Sequence, residues 1–366
     1  MTVALPVLDA RRRELELCTY CPKLCRAACP VSDVEARETV TPWGKMSTAF
    51  LVARGDLPRD AEHAAPAWAC VTCLACRERC DHQNPVGKVL VEARADLFAR
   101  GLAPEGAQRV AAGFADLERA VGAALEPFGR DADVRGDAEV ALLIGCGYRD
   151  AAPEMRDAVR ATVALTGGPV RLVEGCCGLP LALAGDRDGA QRAGDKLRER
   201  VRGARRLVVL DPGCARRARM LRDETPADLP HAELLVEIAA AAAPSLRPVA
   251  SPPAHAVRWH DPCQMGRGLG VYDAPREVLA RLLGRAPAEF PRNKEGAACS
   301  GAGGLLPSTS PASSEAIAEV RLAEHRDAGG GEIVTGCGGS LRRLRSRALP
   351  GETVSDLVSW IARGLG

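Results

Sequence analysis

The chain has 366 residues, 46% of them hydrophobic, enough for two or three cored domains, and its 49 Lys and Arg against 47 Asp and Glu leave a net charge of +2. That balance calls for no polyanionic partner, so nucleic acid is excluded as an expectation, and Arg342, Arg343, Arg345 and Arg347 read as a solvated helix face. The 15 cysteines would suggest disulfides in a small secreted protein, but the opening MTVALPVLDARRRELE lacks the charged-then-apolar order of an export signal, and no apolar run reaches membrane-span length. The expectation is a cytoplasmic chain, reaching a membrane only through a partner, with thiolates that bind metal.

Two cysteine runs come first. CTYCPKLCRAACP carries Cys18, Cys21, Cys25 and Cys29, and CVTCLACRERC carries Cys70, Cys73, Cys76 and Cys80. A [4Fe-4S] cubane needs four soft thiolates, and a compact run of this kind supplies three from a tight loop and a fourth from the next turn. In two-cluster ferredoxins that fourth cysteine crosses to the other cluster. Carried over, Cys18, Cys21, Cys25 and Cys80 hold one cluster, and Cys70, Cys73, Cys76 and Cys29 the other. Two departures stand out: three residues rather than two separate Cys21 from Cys25, and Asp81 occupies the place of the usual proline. Zinc could also bind two four-cysteine sets, but zinc ribbons usually pair CxxC knuckles far apart, whereas these runs are compact and duplicated.

Between and after the runs, Val40 to Arg54 and Val86 to Leu102 have helical spacing of apolar residues, so residues 1–103 are expected to form a mainly helical ferredoxin domain. An Ala-rich helical connector follows over 104–136, ending in the polar turn GRDADVRGD. Beyond it, short apolar runs recur with Gly and Cys at their ends: AEVALLIGCG, GPVRLVEGCCG, RRLVVLDPGC, AVRWHDPC and GEIVTGC. Helix-like segments such as Pro153 to Leu165, Gly189 to Val201 and Pro275 to Leu283 separate them, the alternation of parallel α/β sheets.

The cysteines of this half are duplicated. Cys299 lies 123 residues after Cys176, Ser300 is 123 after Cys177, Cys337 is 123 after Cys214, and Cys263 follows Cys146 by 117. Tandem copies of one domain are expected, the first over 137–250 and the second over 251–366, with sites near the strand ends. The fold class is thus α+β and multidomain: a helical double-[4Fe-4S] ferredoxin domain followed by two tandem α/β repeats with parallel sheets.

On these motifs, CCGLP (176–180), HDPCQMGRG (260–268) and CSGAGG (299–304), the chain resembles the CCG-type iron-sulfur subunits of heterodisulfide reductase and glycolate oxidase, and is similar to the third subunit of anaerobic glycerol-3-phosphate dehydrogenase. In that family a full repeat brings five cysteines, ending in CxxC, to a noncubane cluster or related metal site. Here the first repeat keeps Cys146, Cys176, Cys177 and Cys214, with Arg217 in place of the last cysteine. The second keeps Cys263, Cys299 and Cys337, with Ser300 and Ser340 in place of two others. Four thiolates suffice for a third [4Fe-4S] or other metal site, which the adjacent Cys176 and Cys177 favour. Three leave a choice between an open cluster, a zinc site and an empty relic. Asp261 reads as part of a strand-ending turn with Pro262, and His260 is open between proton movement, ligation and structure.

No GxGxxG follows a strand, so FAD is expected only on a partner chain, a flavoprotein subunit or an electron-transfer flavoprotein, with a membrane-bound or quinone-linked partner as a further expectation. The function implied is an iron-sulfur electron-transfer subunit relaying electrons between a flavin partner and a second acceptor. The alternative is a reductase of a disulfide, quinone or small molecule at a cluster in the carboxy-terminal half.

Overall fold

The structure, a computed structural model, describes residues 4–23 and 25–365. They form two compact units, each discontinuous in sequence. The first gathers the described residues of Met1–Phe114 with Pro180–Ala190 and Glu295–Arg321; the second holds Ala115–Leu179, Gln191–Lys294 and Leu322–Gly366.

The amino-terminal stretch is helical: α1 (Pro6–Thr19), α2 (Pro30–Glu35), α3 (Pro42–Arg54), α4 (Ala61–Ala64), α5 (Ala75–Glu78), α6 (Val86–Phe98), α7 (Glu105–Ala112) and α8 (Phe114–Leu125). Proline opens α1, α2 and α3, where its missing N–H costs nothing. The Thr41 hydroxyl accepts the Gly44 N–H at 3.0 Å to cap α3, which ends on Gly55 in the left-handed conformation. α1 packs along α3 and α6 around Leu15, Met46, Phe50, Trp68, Val89 and Leu90. The expected helices at Val40 to Arg54 and Val86 to Leu102 are present, the first starting two residues later and the second ending four residues sooner.

The carboxy-terminal half reads β1 (Val140–Leu143), α9 (Ala152–Thr166), β2 (Val170–Leu172), α10 (Leu179–Ala184), α11 (Arg187–Arg200), β3 (Arg206–Val209), α12 (Pro212–Glu224), β4 (Ala232–Leu234) and α13 (Leu235–Ala241). Its second copy follows: β5 (Val257–Trp259), α14 (Gly266–Leu269), α15 (Asp273–Leu283), β6 (Ala288–Glu289), α16 (Leu306–Thr309), α17 (Pro311–Asp327), β7 (Glu332–Thr335), α18 (Gly338–Arg345), β8 (Thr353–Asp356) and α19 (Leu357–Gly364). All strands pair in parallel, in the orders β2-β1-β3-β4 and β6-β5-β7-β8, so the second sheet repeats the first strand for strand. Helices α9 and α13 of one copy pack against α15 and α19 of the other, which joins the copies.

The five strands expected from the sequence are there; β4, β6 and β8 were not expected. All three lie at sheet edges, span two to four residues, and lack the Gly-Cys punctuation that marks the others, while β4 and β8 run straight into helices. The order of each sheet reverses beside its first strand, and crevices at the carboxyl ends of strands at such a reversal are where open parallel sheets place ligands. Cys146, Cys176, Cys177 and Cys214 follow β1, β2 and β3; Cys263, Cys299 and Cys337 follow β5, β6 and β7.

Candidate iron-sulfur centres

Cys18 ends the last turn of α1, Cys21 and Cys25 follow on the next loop, and Cys80 comes just after α5. These four thiols, with Cys76, line a cavity of about 110 Å³ walled by Trp43, Pro22 and Val86. A single water occupies roughly 30 Å³ of liquid, so the space suits a larger guest. Among the described residues, no three His, Cys, Asp or Glu side chains converge tightly enough for one metal ion. The additional residue between Cys21 and Cys25 is absorbed by Lys23 taking a left-handed backbone (φ 68°) with its ammonium 3.9 Å from the Trp43 ring centre. Asn84 donates to Cys18 Sγ at 3.0 Å and to the Glu14 carbonyl at 2.8 Å, which fixes its rotamer. Burial, and the neighbouring Cys25, push the Cys18 thiol up to about 12 against the Asn84 hydrogen bond. Burial pushes the Cys25 thiol up as well, and the positive charge of iron is what would let such thiols ionise.

The second set lies deeper. Cys70 and Cys73 are buried, and the loop bearing them turns through two non-glycine left-handed residues, Thr72 (φ 53°) and Leu74 (φ 64°). The Thr72 N–H thereby donates to Cys70 Sγ at 3.4 Å. Such conformations cost about 1–3 kcal/mol each and persist where the surroundings demand them. The Cys76 thiol is pushed up by burial, then by Cys70 and Cys73, then by Cys29, which comes from the other run. Cys29 and Cys70 each face a buried cation. Lys45, 2% exposed, places Nζ 3.3 Å from Cys29 Sγ. Arg94, fully buried, donates to the Cys70 carbonyl at 2.6 Å; burial moves its pKa down to about 10, opposed by Cys70.

In the first repeat, Cys146 and Cys176 sulfurs are 3.7 Å apart and Cys177 and Cys214 sulfurs 3.4 Å, a group of thiols at three strand ends of which all but Cys146 are buried. Hydrogen bonds with Cys176 and Cys214, and the positive charge of Arg217, hold the Cys177 thiol well below the usual thiol range. Arg217 thus puts positive charge beside these thiols. Asp211 caps α12, accepting the Gly213 N–H at 2.8 Å and the Cys214 N–H at 3.3 Å, while its other oxygen accepts the Gly338 N–H of α18 at 3.2 Å. Beside that carboxylate the two copies meet closely at glycines: a Cβ at Gly338 would stand 2.8 Å from the Gly147 carbonyl carbon and 2.9 Å from the Tyr148 ring. The Tyr148 hydroxyl donates to Asp356 at 2.8 Å, and burial pushes the Asp356 carboxyl up to about 7.

The second repeat divides its cysteines. Cys263 and Cys337 belong to the second unit and Cys299 to the first. Burial, then Asp211, pushes the Cys337 thiol up, and Ser340, one turn into α18, hydrogen-bonds it. Gln264 reaches Cys263 Sγ at 3.7 Å and accepts from Arg216 of the first copy at 2.8 Å. The Gly301 N–H donates to Cys299 Sγ at 3.3 Å. Asp261 is a structural lock: two 2.8 Å bonds from Arg276, one from Trp259 and one from the Lys294 N–H hold it below the usual carboxylate range despite burial. His260 is buried with its ring edge-on to Phe290.

Sequence reasoning did not single out Asn84, Lys45, Arg94, Asp211, Tyr148 or Asp356. Lys45 and Arg94 left a trace, each a cation amid apolar residues of its helix; the others leave none without the fold.

Comparison with known proteins finds two matching families. The 4Fe-4S dicluster domain family matches residues 14–84, and the cysteine-rich domain family matches twice, over 140–217 and 257–344. A dihydromethanophenazine:CoB–CoM heterodisulfide reductase subunit from Methanosarcina mazei is 25% identical over 96% of this chain and 94% of that protein. Its counterpart from Methanosarcina barkeri is 25% identical over 81% of this chain and 77% of its own length. A fumarate reductase (CoM/CoB) subunit from Methanothermobacter marburgensis is 24% identical over 89% of this chain and 66% of that protein. No described helix is long and apolar enough to cross a membrane.

Proposed function

Because the chain belongs to the cysteine-rich-domain family of iron-sulfur proteins, with a 4Fe-4S dicluster domain ahead of two repeats, we propose that it is the electron-transfer subunit of an oxidoreductase complex. One [4Fe-4S] cluster is held by Cys18, Cys21, Cys25 and Cys80 and another by Cys29, Cys70, Cys73 and Cys76. A further cluster sits on Cys146, Cys176, Cys177 and Cys214. The clusters supply one-electron acceptance and release. The protein supplies thiols, a water-poor enclosure and the charge around it. Relatives are named as subunits of reductases, which supports partner subunits here; a flavoprotein donor and a second carrier are the partners we propose.

The observation that carries the reading is the gathering of eight thiols from two separated runs into two adjoining sets, with Cys76 lining the cavity of one while feeling the thiols of the other. Metal analysis of the chain purified with its native partners tests it. About eight irons with matching acid-labile sulfide mean the two amino-terminal clusters, and about twelve add the first repeat. Stoichiometric zinc with two or fewer irons would overturn it.

A further inference from the structure

The two amino-terminal thiol sets have unlike electrostatic surroundings. Cys18 takes its hydrogen bond from a neutral amide, Asn84, and the cations lining that set's cavity, Lys23 and Arg79, stay open to solvent, with Lys23 also 4.0 Å from Glu38. On the other set, Lys45 Nζ lies 3.3 Å from Cys29 Sγ, and the Arg94 guanidinium lies over Cys70. The Arg94 side chain donates its hydrogen bonds to main-chain carbonyls: Ala67 at 2.9 Å, Cys70 at 2.6 Å, Leu183 at 3.0 Å and Gly304 at 3.1 Å. Carbonyls solvate a guanidinium without neutralising it, and a buried unneutralised charge is costly unless a counter-charge lies near. Glu35, which feels Lys45, is itself engaged by Arg37 and by the Ser313 hydroxyl. The counter-charge that fits both cations is the net negative charge of a thiolate-ligated cluster on Cys29, Cys70, Cys73 and Cys76.

Arg94 also reaches beyond that set. Leu183 and Gly304 belong to the two segments, Pro180–Ala190 and Glu295–Arg321, that the repeats contribute to the first unit. The fit there is close: a Cβ at Gly304 or Gly303 would run into the carbonyl oxygens of Cys70 and Val71, and Trp68 donates to the Ala184 carbonyl at 3.1 Å. Cys299 lies five residues before Gly304 on the same segment.

We propose that Lys45 and Arg94 are positioning residues that make the Cys29, Cys70, Cys73 and Cys76 centre the electron-accepting end of the relay. Electrons then enter at the Cys18 set and leave past Arg94 toward the Cys299 segment. The inference rests on the relay reading above. A positive charge stabilises the reduced, more negative cluster, so this centre has the higher potential of the two.

The test is a redox titration of the purified holoprotein followed by electron paramagnetic resonance, with iron counted in each variant. Lys45→Gln is expected to shift the electron's partition between the two centres about tenfold toward the Cys18 set, about 59 mV for a one-electron couple. Lys45→Arg is expected to keep the wild-type partition. Arg94→Lys, which keeps charge but loses the planar fork, leaves the partition near wild type and speeds hydrogen exchange over 303–306. Full iron with an unchanged partition in Lys45→Gln, or equal shifts of both centres, overturns the inference and leaves the relay intact. Should Lys45→Gln lose a cluster, an unchanged partition in Arg94→Gln overturns it instead. A wild-type chain without iron on these cysteines removes the relay itself.

Discussion

The amino-terminal thiol sets and the repeat sites solve one problem by opposite means. At the amino terminus each set takes three of its cysteines from one short stretch where a helix meets a loop, with left-handed Lys23, Thr72 and Leu74 turning the backbone between them. In the first repeat the thiols stand at the ends of separate parallel strands, so the sheet order brings them together and the site exists only when the sheet does. Loop-built sites should therefore fail singly, and sheet-built sites with the fold around them.

Cys73→Ala gives the largest expected effect. About four irons per chain should go and electron flow stop, while the α/β unit keeps its circular dichroism and melting. If the acceptor is still reduced at the wild-type rate, that set is off the path. Gly338→Val attacks the other kind of site. Its side chain has no room beside Gly147 and Tyr148, so the second unit should lose about 1–3 kcal/mol in denaturant unfolding, with the signals of the two amino-terminal clusters unchanged. Loss of those signals as well would erase the distinction between the two designs.

Tyr148→Phe is milder. It removes the hydroxyl that donates to buried Asp356, at a cost of about 1–3 kcal/mol. Asp356→Asn has the smallest effect and mainly alters pH dependence. The folded carboxyl is held at about 7, above an unfolded value of about 3.9, so the native state binds the extra proton. Stability is full below about pH 4 and falls as pH rises toward 7. Asn keeps an N-cap for α19 and cannot titrate, so that slope should flatten. An unchanged slope would place the titration elsewhere.

Much of this architecture was legible from spacing. Helical periodicity found α3 and α6, and the Gly and Cys endings found β1, β2, β3, β5 and β7. Strands β4, β6 and β8, two to four residues long, were missed because they lack that punctuation. The turn role expected of Asp261 fits what is seen, although its clamp by Arg276 comes from a helix that begins twelve residues later.

What the sequence determines alone is the count, clustering and duplication of the cysteines, and with them iron-sulfur chemistry and a twofold α/β half. These follow from residue type and local spacing, which need no knowledge of remote contacts. Tertiary structure alone decided that Pro180–Ala190 and Glu295–Arg321 fold with the amino-terminal unit, that Lys45 and Arg94 set buried charge beside one thiol set while Asn84 gives the other a neutral hydrogen bond, and that Asp211 stands where the two copies meet. Each depends on burial beside a partner many residues away. A lone lysine or arginine on a helix becomes a counter-ion only when the fold removes water from it and sets a thiolate nearby.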